Sequence, residues 1–190
     1  MRFFSLFIFI FIFLVSCESG KNNYNSTDVT GIGYGNFEFL DKNFVDVSNI
    51  SDKPDIYLVS FGFTYCPDFC PNNLIKFSKI INNLNQSKIN IKLIFISIDP
   101  ERDTDSNVKS YVKNINNSFI GTVVSKEDLD RMKQHFKIFV LKNGDTKFYT
   151  IDHSTRTYLY DRNKTLRLLI PGNLEKNKIE QDLKTIAYTF

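Results

Sequence analysis

Two apolar runs of strand length, residues 56–61 (IYLVSF) and 91–98 (IKLIFISI), constrain this 190-residue chain more than any other feature. A strand with one wet face alternates apolar and polar residues; one that is apolar throughout is buried on both faces. Between the runs, Leu74, Phe77, Ile81 and Leu84 recur at helical spacing with Ile80 beside them, which predicts an amphipathic helix over residues 67–86. Strand, helix, strand is the signature of a parallel βαβ unit. Further helices are expected at 104–115, 125–136 and 174–189, the second opened by Ser125 with Asp128 three residues on, a variant of the capping box. Strands follow at 137–141, 146–151, 156–161 and 165–170, with turn signals KNGD and DRNK between them. Ahead of all these, residues 37–40 and 45–47 read as a short hairpin. The order predicts an α/β fold: a thioredoxin-like sandwich with a central mixed sheet and an N-terminal hairpin.

The first sixteen residues are of another kind. Met1-Arg2 precedes an apolar stretch over residues 3–15 broken only by Ser5, the layout of a secretion signal. It is too short for a membrane span, which needs roughly 20 apolar residues. Leu14-Val15-Ser16-Cys17 resembles the bacterial lipobox, in which the cysteine is acylated after cleavage, so Cys17 is the expected lipidation site. Arg2 on the cytoplasmic side puts the rest of the chain outside. The expected location is the periplasmic face of a bacterial inner membrane, reached through this N-terminal lipid or signal anchor. Residues 17–35 are polar and small and read as a flexible linker with an end-to-end distance of roughly 25 Å. Residues 36–190 form the expected folded domain.

Composition narrows the function. The net charge of +3 comes from 24 basic and 21 acidic residues, with the lysines spread singly. That pattern lacks the basic footprint of a nucleic-acid binder, so no nucleic acid is expected. Nothing asks for more than a monomer. Three cysteines and two histidines are few enough to weigh one at a time.

Cys66 and Cys70 stand where the first apolar strand gives way to its helix, in FGFTYCPDFCP. Pro67 suits the first helical position, which would put Cys66 at the cap and Cys70 one turn along the same face. The helix's positive end would favour thiolates. The i, i+4 spacing brings two sulfurs within reach of one metal ion or of a redox disulfide. Three residues separate the cysteines, where the thioredoxin motif has two. The wider bite suits a metal, and paired thiolates select copper or zinc, with copper ahead in the affinity order. The bland alternative is a pair of inert or permanently bridged thiols. His153, at a turn before an apolar strand, is the candidate third ligand: thioredoxins keep a cis-proline in that loop, and no proline is found there. His135, mid-helix, reads as an ordinary surface histidine. Asp99, in SIDPERDT at the end of the second central strand, is a candidate for supporting the ligands or docking a partner, or simply for turning the chain while Asp103 or Thr104 caps the next helix. Asp68, between the cysteines, either adjusts their charge or favours the helix's first turn.

FGFTYCPDFCP, FISIDPERDT and YTIDHS together resemble the three signature segments of the Sco (SenC) family, over about residues 36–188. The resemblance implies a membrane-anchored, thioredoxin-like copper protein, a metallochaperone and not an enzyme, that helps assemble the CuA centre of cytochrome c oxidase subunit II. It puts the copper ligands on Cys66, Cys70 and His153 and requires an upstream copper donor. Tyr65 stands where many relatives have a histidine. The competing readings are a thiol–disulfide oxidoreductase that reduces the CuA-site cysteines, a peroxidase, whose threonine spacing Thr64 does not match, and a non-catalytic interaction module.

Overall fold

The computed structural model describes residues 23–43, 53–145 and 148–190. In chain order its elements are β1 (Thr27–Asp28), α1 (Phe37–Asn43), β2 (Ile56–Gly62), α2 (Phe69–Gln86), β3 (Ile91–Ser97), α3 (Asp105–Ile115) and β4 (Ile120–Val123). Then come α4 (Lys126–Phe136), β5 (Val140–Gly144), β6 (Tyr149–His153), β7 (Thr157–Asp161), β8 (Leu166–Ile170) and α5 (Lys176–Thr189).

The two apolar runs lie side by side at the centre. β2 and β3 pair in parallel from Ile56 opposite Ile91 to Gly62 opposite Ser97, and every residue of β2 is buried. They sit in a six-stranded mixed sheet of order β1-β8-β7-β2-β3-β4, with β7 antiparallel to β2 and β4 parallel to β3. Successive side chains of a strand point to opposite faces, so β2 feeds two cores. Tyr57, Val59 and Phe61 join Phe37, Phe136 and Tyr158 on one face. Ile56 and Leu58 meet Leu74, Phe77, Val112 and Leu183 on the other. Helices therefore cover both faces, which is the expected sandwich. β5 and β6 are different: among the described residues they pair only with each other, in a separate two-stranded sheet.

The N-terminal region departs from expectation twice. Residues 37–40 belong to helix α1 and not to a hairpin strand; Phe37 and Leu40, three apart and both fully buried, mark the helical face. The Phe37 ring packs 4.8 Å from Tyr57 and 5.1 Å from Tyr160, centre to centre. Residues 45–47, the other half of the expected hairpin, lie outside the described residues, as do residues 1–16 and Cys17. The linker expected to run to residue 35 is folded well before that. Thr27 and Asp28 pair with Leu169 and Leu168 of β8. The Ser26 amide and hydroxyl donate to Asp182 Oδ2 at 2.8 and 2.6 Å, and the Asn25 amide donates to Oδ1 at 2.8 Å. A carboxylate as buried as Asp182 requires such donors, and the segment before residue 29 supplies them.

Candidate metal centre

The cysteine-bearing segment leaves β2 at Gly62 and turns before α2 begins. The Cys66 amide donates to the Phe63 carbonyl, and the cap of α2 is Asp68. The helix thus starts two residues later than Pro67 suggests. Asp68 makes no capping bond; its carboxylate is taken by the Asn72 side chain, and it is exposed. The first-turn amide of Cys70 finds another acceptor, the Cys66 sulfur, at 3.3 Å. Cys66 is half-buried, Cys70 is buried, and both are free thiols.

Gly62 makes the room that Cys70 occupies. A Cβ at position 62 would stand 2.8 Å from Cys70 Sγ and 2.8 Å from the Phe95 ring. The cost of that burial falls on the thiolate. Desolvation pushes the Cys70 thiol far above the ordinary range, a hydrogen bond from the Phe63 backbone opposes it, and Cys66 and Asp103 add to the rise. The expected lowering by the helix end is overridden at Cys70, because burial disfavours the charged form more than the first turn favours it.

His153 is the last residue of β6, and its Nε2 lies 3.8 Å from Cys70 Sγ. Its Nδ1 is 2.8 Å from the Ser154 carbonyl oxygen. A carbonyl can only accept, so Nδ1 carries the ring proton and Nε2 turns a lone pair toward the sulfur. Burial moves the imidazole pKa down and so favours the neutral ring, partly opposed by the Ser154 carbonyl and the Asp152 charge. Close approach of the two segments depends on Gly172, where a Cβ would meet the Phe69 ring at 2.4 Å and the Thr155 oxygen at 2.9 Å. Beside the imidazole opens a cavity of about 600 Å³ that β1 also lines through Thr27 and Asp28.

As they stand, no three His, Cys, Asp or Glu side chains among the described residues form a ready-made metal-holding group. The close pair is Cys70 and His153, while the Cys66 sulfur is engaged one turn back on the Cys70 amide. A three-point grip would need the Cys66 thiol to turn off that amide. His135 takes no part: it stacks on Phe39 at 4.1 Å, and its Nε2 lies 3.2 Å from the Asn36 oxygen.

The acidic candidates sort unexpectedly. Asp99 is buried and binds Arg102 Nε at 2.6 Å and the Tyr149 hydroxyl at 2.6 Å; its side-chain partners are neither thiols nor imidazole. Asp103 is the carboxylate that touches the cysteine segment. It accepts from the Thr64 amide at 3.0 Å and from the Thr64 and Ser97 hydroxyls, tying the turn to the end of β3. The helix cap is Thr104, in a capping box with Asn107. Arg102 and Tyr149, the side-chain partners of Asp99, were missed by sequence reasoning; an arginine in a polar run gives no sign of which ring it will meet.

Against known proteins, a family model described as SCO1/SenC matches residues 26–188. The chain belongs to the SCO1/SenC family. Its start at residue 26 agrees with the early folding of the N-terminal segment. Among SCO1/SenC relatives, a SCO2-like protein of Rickettsia felis is 40% identical over 132 residues, which covers 68% of this chain and 64% of that protein's length. Of solved SCO1/SenC structures, Arabidopsis thaliana ScoI with copper bound is 28% identical with a TM-score of 0.67, covering 72% of this chain and 86% of that one. Bradyrhizobium japonicum ScoI with copper bound is 27% identical with a TM-score of 0.61, covering 70% and 85%.

Proposed function

We propose that this chain is a membrane-tethered copper chaperone that binds its cargo through Cys66, Cys70 and His153 and helps assemble the CuA site of cytochrome c oxidase subunit II. One observation carries the reading: an imidazole nitrogen free to donate, 3.8 Å from a buried thiol. Two sulfurs and one neutral imidazole suit Cu(I), and the imidazole also tolerates Cu(II). The solved ScoI relatives with copper bound agree with that choice of cargo.

Loading begins when copper meets Nε2 and the Cys70 sulfur, which gives up its proton to solvent. Cys66 then leaves the Cys70 amide, gives up its own proton to solvent and adds the second sulfur. Release runs in reverse by ligand exchange, as donor groups of the acceptor replace these one at a time. Affinity has to suffice for carriage and still allow departure. An upstream donor supplies the metal, and an acylated Cys17 holds the protein at the periplasmic face of the membrane.

Copper titration of the full chain tests this: one ion per chain, with a sulfur-to-Cu(II) charge-transfer band that disappears in Cys66→Ser and Cys70→Ser. A wild type that binds no copper overturns it. The two free thiols, four residues apart with Cys66 the more exposed, favour one second reading. Cys66 would attack a disulfide of the CuA-site cysteines, and Cys70 would close the Cys66–Cys70 disulfide, passing two electrons and two protons to the partner. His153→Ala separates the two, since it cuts copper affinity to what the two sulfurs alone can hold and leaves disulfide reduction intact.

A further inference from the structure

Among the described residues the His-bearing hairpin shares no strand pairing with the main sheet; Tyr149 and Ile151 pack it into the core, and polar contacts are left to set its direction toward the thiols. The loop from Asp99 to Arg102 meets it in a closed ring of hydrogen bonds. Asp99 Oδ2 accepts from Arg102 Nε at 2.6 Å, Arg102 Nη1 donates to the Tyr149 carbonyl at 2.9 Å, and the Tyr149 hydroxyl returns to Asp99 Oδ1 at 2.6 Å. The Tyr149 ring is flanked by two cations, Arg102 Cζ and Lys142 Nζ, each 3.7 Å from its centre. Lys142, on β5, reaches back to Glu101 at 2.5 Å. The guanidinium also lies 4.9 Å from the Tyr65 ring and 5.6 Å from that of Phe63, which meets the His153 ring edge to face with 6.0 Å between centres. Its remaining nitrogen, Nη2, is buried with no hydrogen-bond partner among the described residues, so rings surround the group where water or a carboxylate otherwise would.

We propose that Arg102 and Tyr149 are positioning residues: with Asp99 they form a clasp that sets how far His153 stands from Cys70, and so tunes how tightly and how quickly the site takes and yields its ion. The argument is one of leverage. Tyr149 begins β6 and His153 ends it, so fixing one end of a five-residue strand fixes the direction of the other. Arginine is required because a single planar group has to reach a carboxylate, a carbonyl and an aromatic face together; lysine reaches one of them. This assignment rests on the copper reading for its functional consequence, but the clasp itself is testable without metal.

The experiment compares the full chain with Arg102→Lys and Tyr149→Phe in detergent, by amide hydrogen exchange without metal and by Cu(I) competition. In Arg102→Lys, exchange across β5 and β6 should quicken at least tenfold while β2, β3 and β7 keep their wild-type rates, and Cu(I) affinity should fall about tenfold, within the range for residues that orient metal ligands. In a His153→Ala background the same substitution should cost no further affinity, because the clasp acts through the imidazole. Tyr149→Phe, which keeps the ring between its cations, should give a smaller change of the same kind. If exchange quickens everywhere in Arg102→Lys, the lysine variant has loosened the whole fold and Tyr149→Phe decides. Unchanged hairpin exchange in Tyr149→Phe, or an equal affinity loss with and without His153, overturns the clasp. A wild type that binds no copper defeats the chaperone reading and leaves the exchange result to stand or fall alone.

Discussion

The two halves of the site draw on apolar burial and polar contacts in different proportion. Cys70 rides on a helix packed over a sheet whose β2 and β3 pair along their whole length, and its sulfur fills a space that Gly62 leaves open. His153 rides on a hairpin outside that sheet; the hairpin adds Tyr149 and Ile151 to the apolar core and is otherwise held by ion pairs, cation–ring contacts and hydrogen bonds to the Asp99–Arg102 loop. Burial of apolar surface is cooperative and survives small errors, whereas a few polar contacts can be undone singly. A carrier gains from that inequality: the sulfur side stays fixed while the imidazole side can yield.

Four measurements would break or sharpen the contrast. The widest swing is expected from pH. Burial keeps Cys70 protonated across the neutral range, and copper requires its thiolate, so binding expels a proton and affinity rises with pH. His153 is already neutral there and opposes binding only in acid below the usual histidine range. Competition titrations should find Cu(I) affinity rising at least tenfold per pH unit, about a hundredfold over two units; a flat profile would mean that Cys70 does not bind as thiolate. Next comes Phe77→Ala, under the sheet, which should cost about 3–5 kcal/mol in denaturant unfolding and release both halves of the site together. Gly62→Ala should cost about 1–3 kcal/mol by overpacking against Phe95. It should also weaken copper binding out of proportion, because the atom displaced is Cys70 Sγ. Asp68→Ala, between the cysteines but exposed and uncapping, should stay within about 0.5 kcal/mol of wild type and leave the copper spectrum unchanged.

Legibility in the sequence follows the same division. β2, α2 and β3 were readable because continuous burial writes itself as apolar runs and helical spacing. His153 could be singled out because histidines are scarce. β4 was not foreseen: its four residues include Gly121, which stands in for a larger residue because a Cβ there would meet the Val108 oxygen at 2.8 Å. The α1 segment misled because Phe37 and Phe39 alternate as in a strand, while the contact that decides, Leu40 with Phe37 in the core, has helical spacing. Of the two caps expected for α3, Asp103 or Thr104, the threonine holds it, and the bond from Asp103 to the cysteine segment went unread, since chemistry at a strand end depends on which neighbouring loop folds back. The separation of β5 and β6 from the main sheet also left no mark, for strand signals do not name their partners.

The pairing of β1 with β8 has a consequence for where the protein can work. Thr27 lies opposite Leu169, next to the residue that faces Thr157, so the chain joins the fold at the end of the sheet where His153 sits. Were Cys17 acylated as proposed, five residues would separate it from Asn23, the first the structure describes, a span of at most roughly 20 Å. Such a mooring would keep the molecule close to the bilayer, with the end of the sheet that carries His153 on the side where the tether enters.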